Sequence, residues 1–346
     1  MANKIYENIK QTIKDNFKLI ISVVFIIFIF NFELPYAIEK PARGYISLND
    51  RISVTNGYET SGDIGMAYVT MVKGSIPFLL YSKLNSNWDI VKKSDITYDN
   101  ETMKEMNERE RLSMKEALSN ATINAYKMAN KSYEVTDTNV YITYLNSSDT
   151  NLKMLDQILA INDISITKLE DIKTIVESSN IDDYLNVKIK RDSKEMTVKT
   201  KVFDLEGQKK IGVGVTLDKK ITTDPEVKIK VKSNESGPSG GLMMSLAIYN
   251  NLTPEDITKG LKIIGTGTID EDGNVGEIGG IKYKLAGAVK KKAKVFLCPK
   301  ENLDEAQELA KSNKYDIKII GVSTFEEALE ELSKLWIITA KTFITI

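Results

Sequence analysis

Gly237-Pro238-Ser239-Gly240-Gly241, followed directly by Leu242-Met243-Met244-Ser245-Leu246-Ala247-Ile248-Tyr249, places a serine on a glycine-rich turn at the mouth of an apolar helix. Just upstream, Val227-Lys228-Ile229-Lys230-Val231 alternates as a strand does, so Ser239 stands on a strand-to-helix turn. Such a turn suits a nucleophile. Glycines let a substrate approach the backbone, Pro238 stiffens the bend, and the helix start offers free N–H groups to a developing oxyanion. Gly237, Pro238 and Gly240 are the turn residues in that role. A plain helix cap, with Ser239 satisfying those amides, fits the same five residues.

The chain has no histidine. A serine hydroxyl attacks poorly until a neighbouring base takes its proton, and here imidazole is not available as that base. Triads built on imidazole and zinc sites that need histidine are excluded together. A lysine is the natural alternative, and Gly279-Gly280-Ile281-Lys282-Tyr283-Lys284-Leu285-Ala286-Gly287-Ala288-Val289 supplies two on one helix. Lys282 lies in the row of Ala286 and Val289, which is read as the apolar side. Lys284 lies with Ala288 and Lys291 and is read as facing solvent. Ser239 and Lys282 are therefore the expected catalytic pair. Lys282 must be neutral to act, and a free lysine, with a pKa of about 10.4, is almost wholly charged at pH 7. Burial beside Ile281, Leu285 and Val289 is what would change that.

At 346 residues the chain has room for two or three domains, and 42% hydrophobic residues support real cores. A net charge of −1 gives no basic surplus, so nucleic acid is not an expected partner. The single cysteine, Cys298, rules out an intrachain disulfide and reads as a core residue of a buried strand, Val295-Phe296-Leu297-Cys298-Pro299. No GxxxxGK[ST] is present, so no built-in ATP motor is expected. No cofactor or metal is called for.

Residues 19–30, LIISVVFIIFIF, form one apolar run preceded by Lys4, Lys10, Lys14 and Lys18. Extended over residues 17–38 it reaches the length of a membrane span. Pro35-Tyr36-Ala37 is a poor cleavage site, so an uncleaved signal anchor is expected rather than a removed signal peptide. The lysines would keep the N-terminus cytoplasmic and leave the rest of the chain outside, as a single-pass protein of the cell membrane.

Residues 41–133 form a mixed N-terminal region. Two short strands are expected, Tyr68-Val69-Thr70-Met71-Val72 and Ile76-Pro77-Phe78-Leu79-Leu80, followed by a helix over residues 107–129. From 134 to 205 a strand (Val140-Tyr141-Ile142-Thr143-Tyr144-Leu145), a second strand running into a turn, an amphipathic helix marked by Leu169, Ile172, Ile175 and Val176, and two alternating strands make a small αβ unit. Its segment LDQILAINDISITKLEDIKTIV resembles the corresponding stretch of bacterial PDZ domains, with Leu155 where that family carries glycine. The resemblance implies peptide binding by strand addition, at an edge placed near Tyr141, Ile142 and Thr143.

Residues 210–338 form the third unit, in which Thr253-Pro254-Glu255-Asp256 is read as starting a short helix and residues 261–268 as a strand. GPSGG, Thr266-Gly267, GGIKYK and Pro299-Lys300-Glu301-Asn302 together resemble the proteolytic domain of the Lon family. Residues Ser239 and Lys282 take the family's serine and lysine, and Thr266 its supporting threonine, expected to orient the amine. Ser236 stands where the family has aspartate, and Gly240 where it has alanine. The whole chain is thus α+β: a transmembrane helix, a mixed region, a PDZ-like domain and a Lon-type α/β proteolytic domain. The implied activity is ATP-independent serine endopeptidase action on unfolded or flexible protein and peptide substrates, within a homo-oligomer. Two other readings stay open: a signal-peptidase-like Ser–Lys hydrolase, and a membrane-tethered peptide-binding adaptor with an inactive protease domain.

Overall fold

The computed structural model describes residues 2–42, 44–85, 88–98, 101–146 and 150–335. In chain order it begins with helices α1 (Ala2–Asp15) and α2 (Phe17–Asn31), then strands β1 (Glu33–Pro41), β2 (Ile46–Ser47), β3 (Ile52–Val54), β4 (Asp63–Met66) and β5 (Val69–Ser75). Helix α3 (Ile76–Lys83), strand β6 (Asp89–Lys92) and helix α4 (Met103–Met128) follow. Next come β7 (Ser132–Leu145), β8 (Gln157–Ile161), β9 (Ile164–Ser165), α5 (Leu169–Ser178), β10 (Tyr184–Arg191) and β11 (Lys194–Lys201). A hairpin, β12 (Phe203–Leu205) and β13 (Gln208–Lys210), leads to β14 (Val213–Asp224) and β15 (Val227–Ile229). The last part alternates α6 (Gly241–Leu252), β16 (Lys262–Gly265), α7 (Ile281–Lys290), β17 (Val295–Pro299), α8 (Leu303–Ser312), β18 (Lys318–Val322) and α9 (Phe325–Ser333). The expected end of the third unit at residue 338 lies outside the described residues.

The chain divides into two compact units. The first joins residues 1–41 and 69–97, with the antiparallel sheet β5-β1-β6 and helices α1 to α3. Here two expectations are corrected. The apolar helix does not run on to Ile38. It stops at Asn31, and residues 33–41 are strand β1, paired with β5 and β6. The cause is local: Pro35 disfavours helix at Leu34, and Phe32 is already extended. At 1.5 Å per residue the 15-residue α2 is about 22 Å long, against about 30 Å of bilayer hydrocarbon. Among the described residues no helix is long and apolar enough to cross a membrane. Residues 76–80, expected as a strand, open helix α3, with Pro77 in its first turn, where a missing N–H costs nothing.

The second unit joins residues 42–68 and 98–346. Its five-stranded sheet runs β18-β17-β16-β4-β2, parallel except for β2. Residues 42–68, read in sequence as part of the N-terminal region, therefore complete the sheet of the C-terminal domain through β2 and β4, and β3 pairs with β15. Every residue of β17 is buried, as a parallel strand covered on both faces must be. One face carries α6, packed with α4 and α9 around Leu242, Leu246, Ala121 and Phe325. The other carries α7 and α8 around Ile281, Leu285, Phe296 and Ala306. Cys298 lies in that second core, and burial pushes its thiol up to about 12, which makes it the inert core residue its sequence context suggests. The expected short helix at residues 253–256 is a turn. Asp256 accepts the N–H and hydroxyl of Thr258 at 2.9 and 2.6 Å, bonds that compete with a helical first turn.

The PDZ-like part has the antiparallel order β11-β10-β8-β7-β14, with α5 closing a core of Ile142, Ile158, Ile175, Val187 and Ile189. Leu155, in the position that resembles a family glycine, sits in the left-handed region with φ of 69°. The last strand of this sheet, β14, continues within a few residues into β15 and the Ser239 turn. One length of chain serves both domains.

Candidate active site

Ser239 sits at the carboxyl ends of the parallel strands β4 and β16, where α/β sheets place their ligands. Thr266, immediately after β16, is fully buried, and its hydroxyl donates to the carbonyl of Ser239 at 2.9 Å. The N–H of Gly267 donates to the same oxygen at 2.8 Å, and the N–H of Leu242 returns to the carbonyl of Gly267 at 3.1 Å. The end of β16 is thus laced to the start of α6. Thr266, expected to orient the amine, spends its proton on the backbone of Ser239.

Gly237 has φ of 92°, a conformation that favours glycine, and its N–H donates to the carbonyl of Glu110 at 2.9 Å. That commitment corrects its expected part in oxyanion binding, and Pro238 has no N–H to offer. Among the described residues the N–H groups of Ser239 and Gly240 make no hydrogen bond, so they are the turn donors left for an oxyanion. The half-buried Ser239 hydroxyl likewise has no hydrogen-bond partner among the described residues. Catalytic hydrogen bonds often tighten only when substrate is bound. Gly240 is explained by close approach: a Cβ there would lie 1.8 Å from the sulfur of Met66, the last residue of β4.

The two lysines reverse their expected exposures. Lys284 is buried, with 4% of its surface exposed, on the face of α7 shared with Ile281, Leu285 and Ala288. Lys282 is only half-buried, with its ammonium 5.4 Å from the centre of the Tyr283 ring. The spacing 281, 284, 285, 288 is the i, i+3, i+4, i+7 face that the sheet covers. The row 282, 286, 289 lies at its margin, and all three residues are only partly buried. The buried face of α7 packs in one core with Ile264 of β16 and Phe296 of β17.

Helix α4 contributes what the sequence reading left as a connector. Besides the Glu110 carbonyl, Asn120 donates to Ile269 at 3.1 Å and Asn124 to Asp270 at 2.8 Å. Two asparagines one turn apart inside a helix, both buried, were the available signal.

Tyr141, Ile142 and Thr143 do not form a free edge. Strand β7 is sandwiched between β8 and β14, Ile142 pairs with Val215, and Ile142 and Thr143 are buried. The open space lies elsewhere: a cavity of about 840 Å³ between α5 and the chain entering β14, lined by Tyr144, Leu169, Ile172, Val176, Ile211 and Val213. Sequence reasoning missed it because β14 joins this sheet from beyond the unit's expected end at residue 205.

Residues 207–334 match the family model of the Lon protease (S16) C-terminal proteolytic domain, and residues 118–202 match that of the PDZ domain. The Lon protease of Neorickettsia sennetsu is 35% identical over 97 residues, covering 28% of this chain and 12% of that protein. The Lon protease of Campylobacter jejuni is 30% identical over 128 residues, covering 34% of this chain and 16% of that protein. The chain therefore spans a small fraction of the length of these relatives. Among solved structures, the PDZ domain of an SdrC-like protein from Listeria monocytogenes is 20% identical, covering 24% of this chain and 92% of that one, with a TM-score of 0.22. The stretch that matches the Lon proteolytic domain thus follows the stretch that matches the PDZ domain.

Proposed function

We propose that the protein is a serine endopeptidase in which Ser239 is the nucleophile and Lys282 its general base. The turn that presents the half-buried Ser239 at the strand ends with two uncommitted N–H groups beside it, inside the Lon-matching stretch, carries this reading. Lys282, half-buried at the start of α7, takes the place that the GGIKYK resemblance gives the family's lysine. The Lys282 amine takes the Ser239 proton as the serine oxygen attacks a peptide carbonyl. The N–H groups of Ser239 and Gly240 receive the oxyanion. The protonated lysine then gives its proton to the departing amine nitrogen, and water, deprotonated by the same amine, releases the acyl group. Substrates are flexible or unfolded chains, since only extended backbone reaches a half-buried serine on a turn. The cavity beside α5 takes a peptide segment of the same or another protein.

Helix α2 supports a second element of the proposal, attachment to a lipid bilayer. Its side chains are apolar almost all round, and none is buried. A helix of this kind is stable only when its surroundings are themselves apolar. Flotation of the full chain with vesicles, lost when residues 17–31 are replaced by a polar helix, tests the attachment.

For the chemistry, a serine-directed acylating probe is the direct test. It is expected to modify Ser239 in the wild type and to leave Ser239→Ala and a folded Lys282→Gln variant unmodified. Equal labelling of Lys282→Gln and wild type would overturn the assignment of the base.

A further inference from the structure

The cavity beside α5 and the Ser239 turn are joined by a series of side-chain contacts that ends in one backbone hydrogen bond. Tyr144, at the end of β7, lines the cavity. Its ring meets Tyr98 edge-on, with centroids 4.9 Å apart. The Arg109 guanidinium lies 4.5 Å over the Tyr98 ring. Arg109 donates to the carboxylate of Glu110 at 2.6 Å, and the Glu110 carbonyl holds the N–H of Gly237 at 2.9 Å. Gly237 is two residues from the nucleophile, and its φ of 92° leaves the turn little freedom to adjust by itself.

Arg109 is held hard at the centre of this series. Its other bonds, at 2.8 and 3.2 Å, go to Glu101, whose side chain is fully buried. Desolvation works against the guanidinium charge, but Glu101, Glu110 and Tyr98 together keep it firmly protonated. A planar cation stacked on one ring and forked between two carboxylates has few positions open to it. A shift of Tyr98 is therefore passed to Glu110 rather than absorbed. Tyr98 and Tyr144, by contrast, are each about two-fifths exposed and can move with whatever fills the cavity.

We infer that occupancy of the cavity beside α5 sets the geometry of the Ser239 turn through Tyr144, Tyr98, Arg109 and Glu110, with Arg109 as a positioning residue for the hydrolysis. This rests on the reading of Ser239 as nucleophile and deepens it. A filler that displaces Tyr144 changes the acylation rate of Ser239, and acylation of Ser239 changes affinity at the cavity by the same coupling. A second physical route exists, through β14 itself, where Lys219 pairs with Glu271. The two routes differ in their dependence on Tyr98.

A covalent filler tests this whatever peptide the cavity takes. Lys173 lines the cavity with a well-exposed side chain, so Lys173→Cys in the full chain accepts N-(1-pyrenyl)maleimide, while buried Cys298 does not. The readout is the rate at which the serine probe modifies Ser239, as the ratio of pyrene-labelled to unlabelled protein. The ratio is expected to depart from one by about fivefold or more, the lower end of usual coupling energies. With Tyr98→Ala added it is expected to return close to one, and with Tyr98→Phe, which keeps the ring, to persist. A ratio of one in the Tyr98 background overturns the proposal. So does a ratio undiminished by Tyr98→Ala, which would assign the coupling to β14. Amide hydrogen exchange at residues 237–241, compared before and after labelling, reads the same coupling without chemistry. If Ser239 is never acylated the endopeptidase reading fails, and unchanged exchange would then sink the coupling separately.

Discussion

The hydroxyl of Thr266 donates to the backbone carbonyl of Ser239 at 2.9 Å, so the end of a parallel strand fixes the turn that carries this serine. Thr266→Val keeps the volume and removes one hydrogen bond, while Gly267 still serves the same carbonyl. The loss is about 1 kcal/mol, and Ser239 acylation is expected to slow about fivefold. Thr266→Ser should restore it. An unchanged rate in a folded Thr266→Val variant would show that the bond has no part in setting the turn.

The two lysines of α7 separate cleanly. Lys282→Met is expected to lower turnover of an unstructured protein such as casein by about 10²–10⁴-fold, the usual contribution of a positioned base. Lys284→Met, at a buried position of the same helix, should show its effect in stability rather than in turnover of the folded variant. The reverse ranking would move the base to Lys284.

Gly240 and Met66 are predicted to be energetically coupled. A methyl at 240 lands 1.8 Å from the Met66 sulfur, so Gly240→Ala forces that side chain aside at a cost of about 1–3 kcal/mol. Met66→Ala opens the space, so the double variant should be less destabilised than the sum of the singles in urea unfolding. Strict additivity would mean that Met66 swings away freely.

Leu155 holds φ of 69°, which costs a side chain with a Cβ roughly 1–2 kcal/mol. Leu155→Gly is expected to stabilise the chain by up to about 1 kcal/mol once the greater freedom of glycine in the unfolded chain is set against that relief. A lower denaturation midpoint for Leu155→Gly would show that the packing of Leu155 outweighs its strain.

Glu116 gives a pH signature. Burial raises its carboxyl above the ordinary range, opposed by the Leu217 N–H and by Lys219, and reinforced by Glu271. A carboxyl raised in the folded state favours the protonated form there. Its contribution is therefore fully present below the unfolded pKa and is lost as pH rises through the folded pKa. At neutral pH the ionised group weakens the fold. Glu116→Gln, which can still accept from Leu217, is expected to be more stable than wild type at pH 7, with the difference shrinking as pH falls toward the ordinary glutamate range. Parallel stability–pH curves for the two proteins would rule this out.

Much of this was legible in the residues. GPSGG ahead of an apolar helix, strands and helices alternating from Val227 onward, and the segment around Ile158 to Val176 all encode local choices: turn chemistry, hydrophobic period, capping. Neighbours in sequence decide those, and the strands and helices formed close to where they were read. Boundaries set by a single residue were harder. Pro35 ended the apolar helix at Asn31, and Pro77 started a helix where alternating hydrophobicity suggested a strand.

What the chain alone determined is a serine on a strand-to-helix turn, a lysine-bearing helix beyond it, and a PDZ-like unit ahead of both. Which of the two lysines is buried was decided only by the face of α7 that the five-stranded sheet covers, because burial belongs to a pair of surfaces and not to one helix. The same holds for Glu110, brought to the turn from more than a hundred residues away, and for Asn120, brought as far to Ile269. It holds too for β14, which completes a PDZ sheet from beyond that unit's expected end, since strand pairing is settled by the partner and not by the strand.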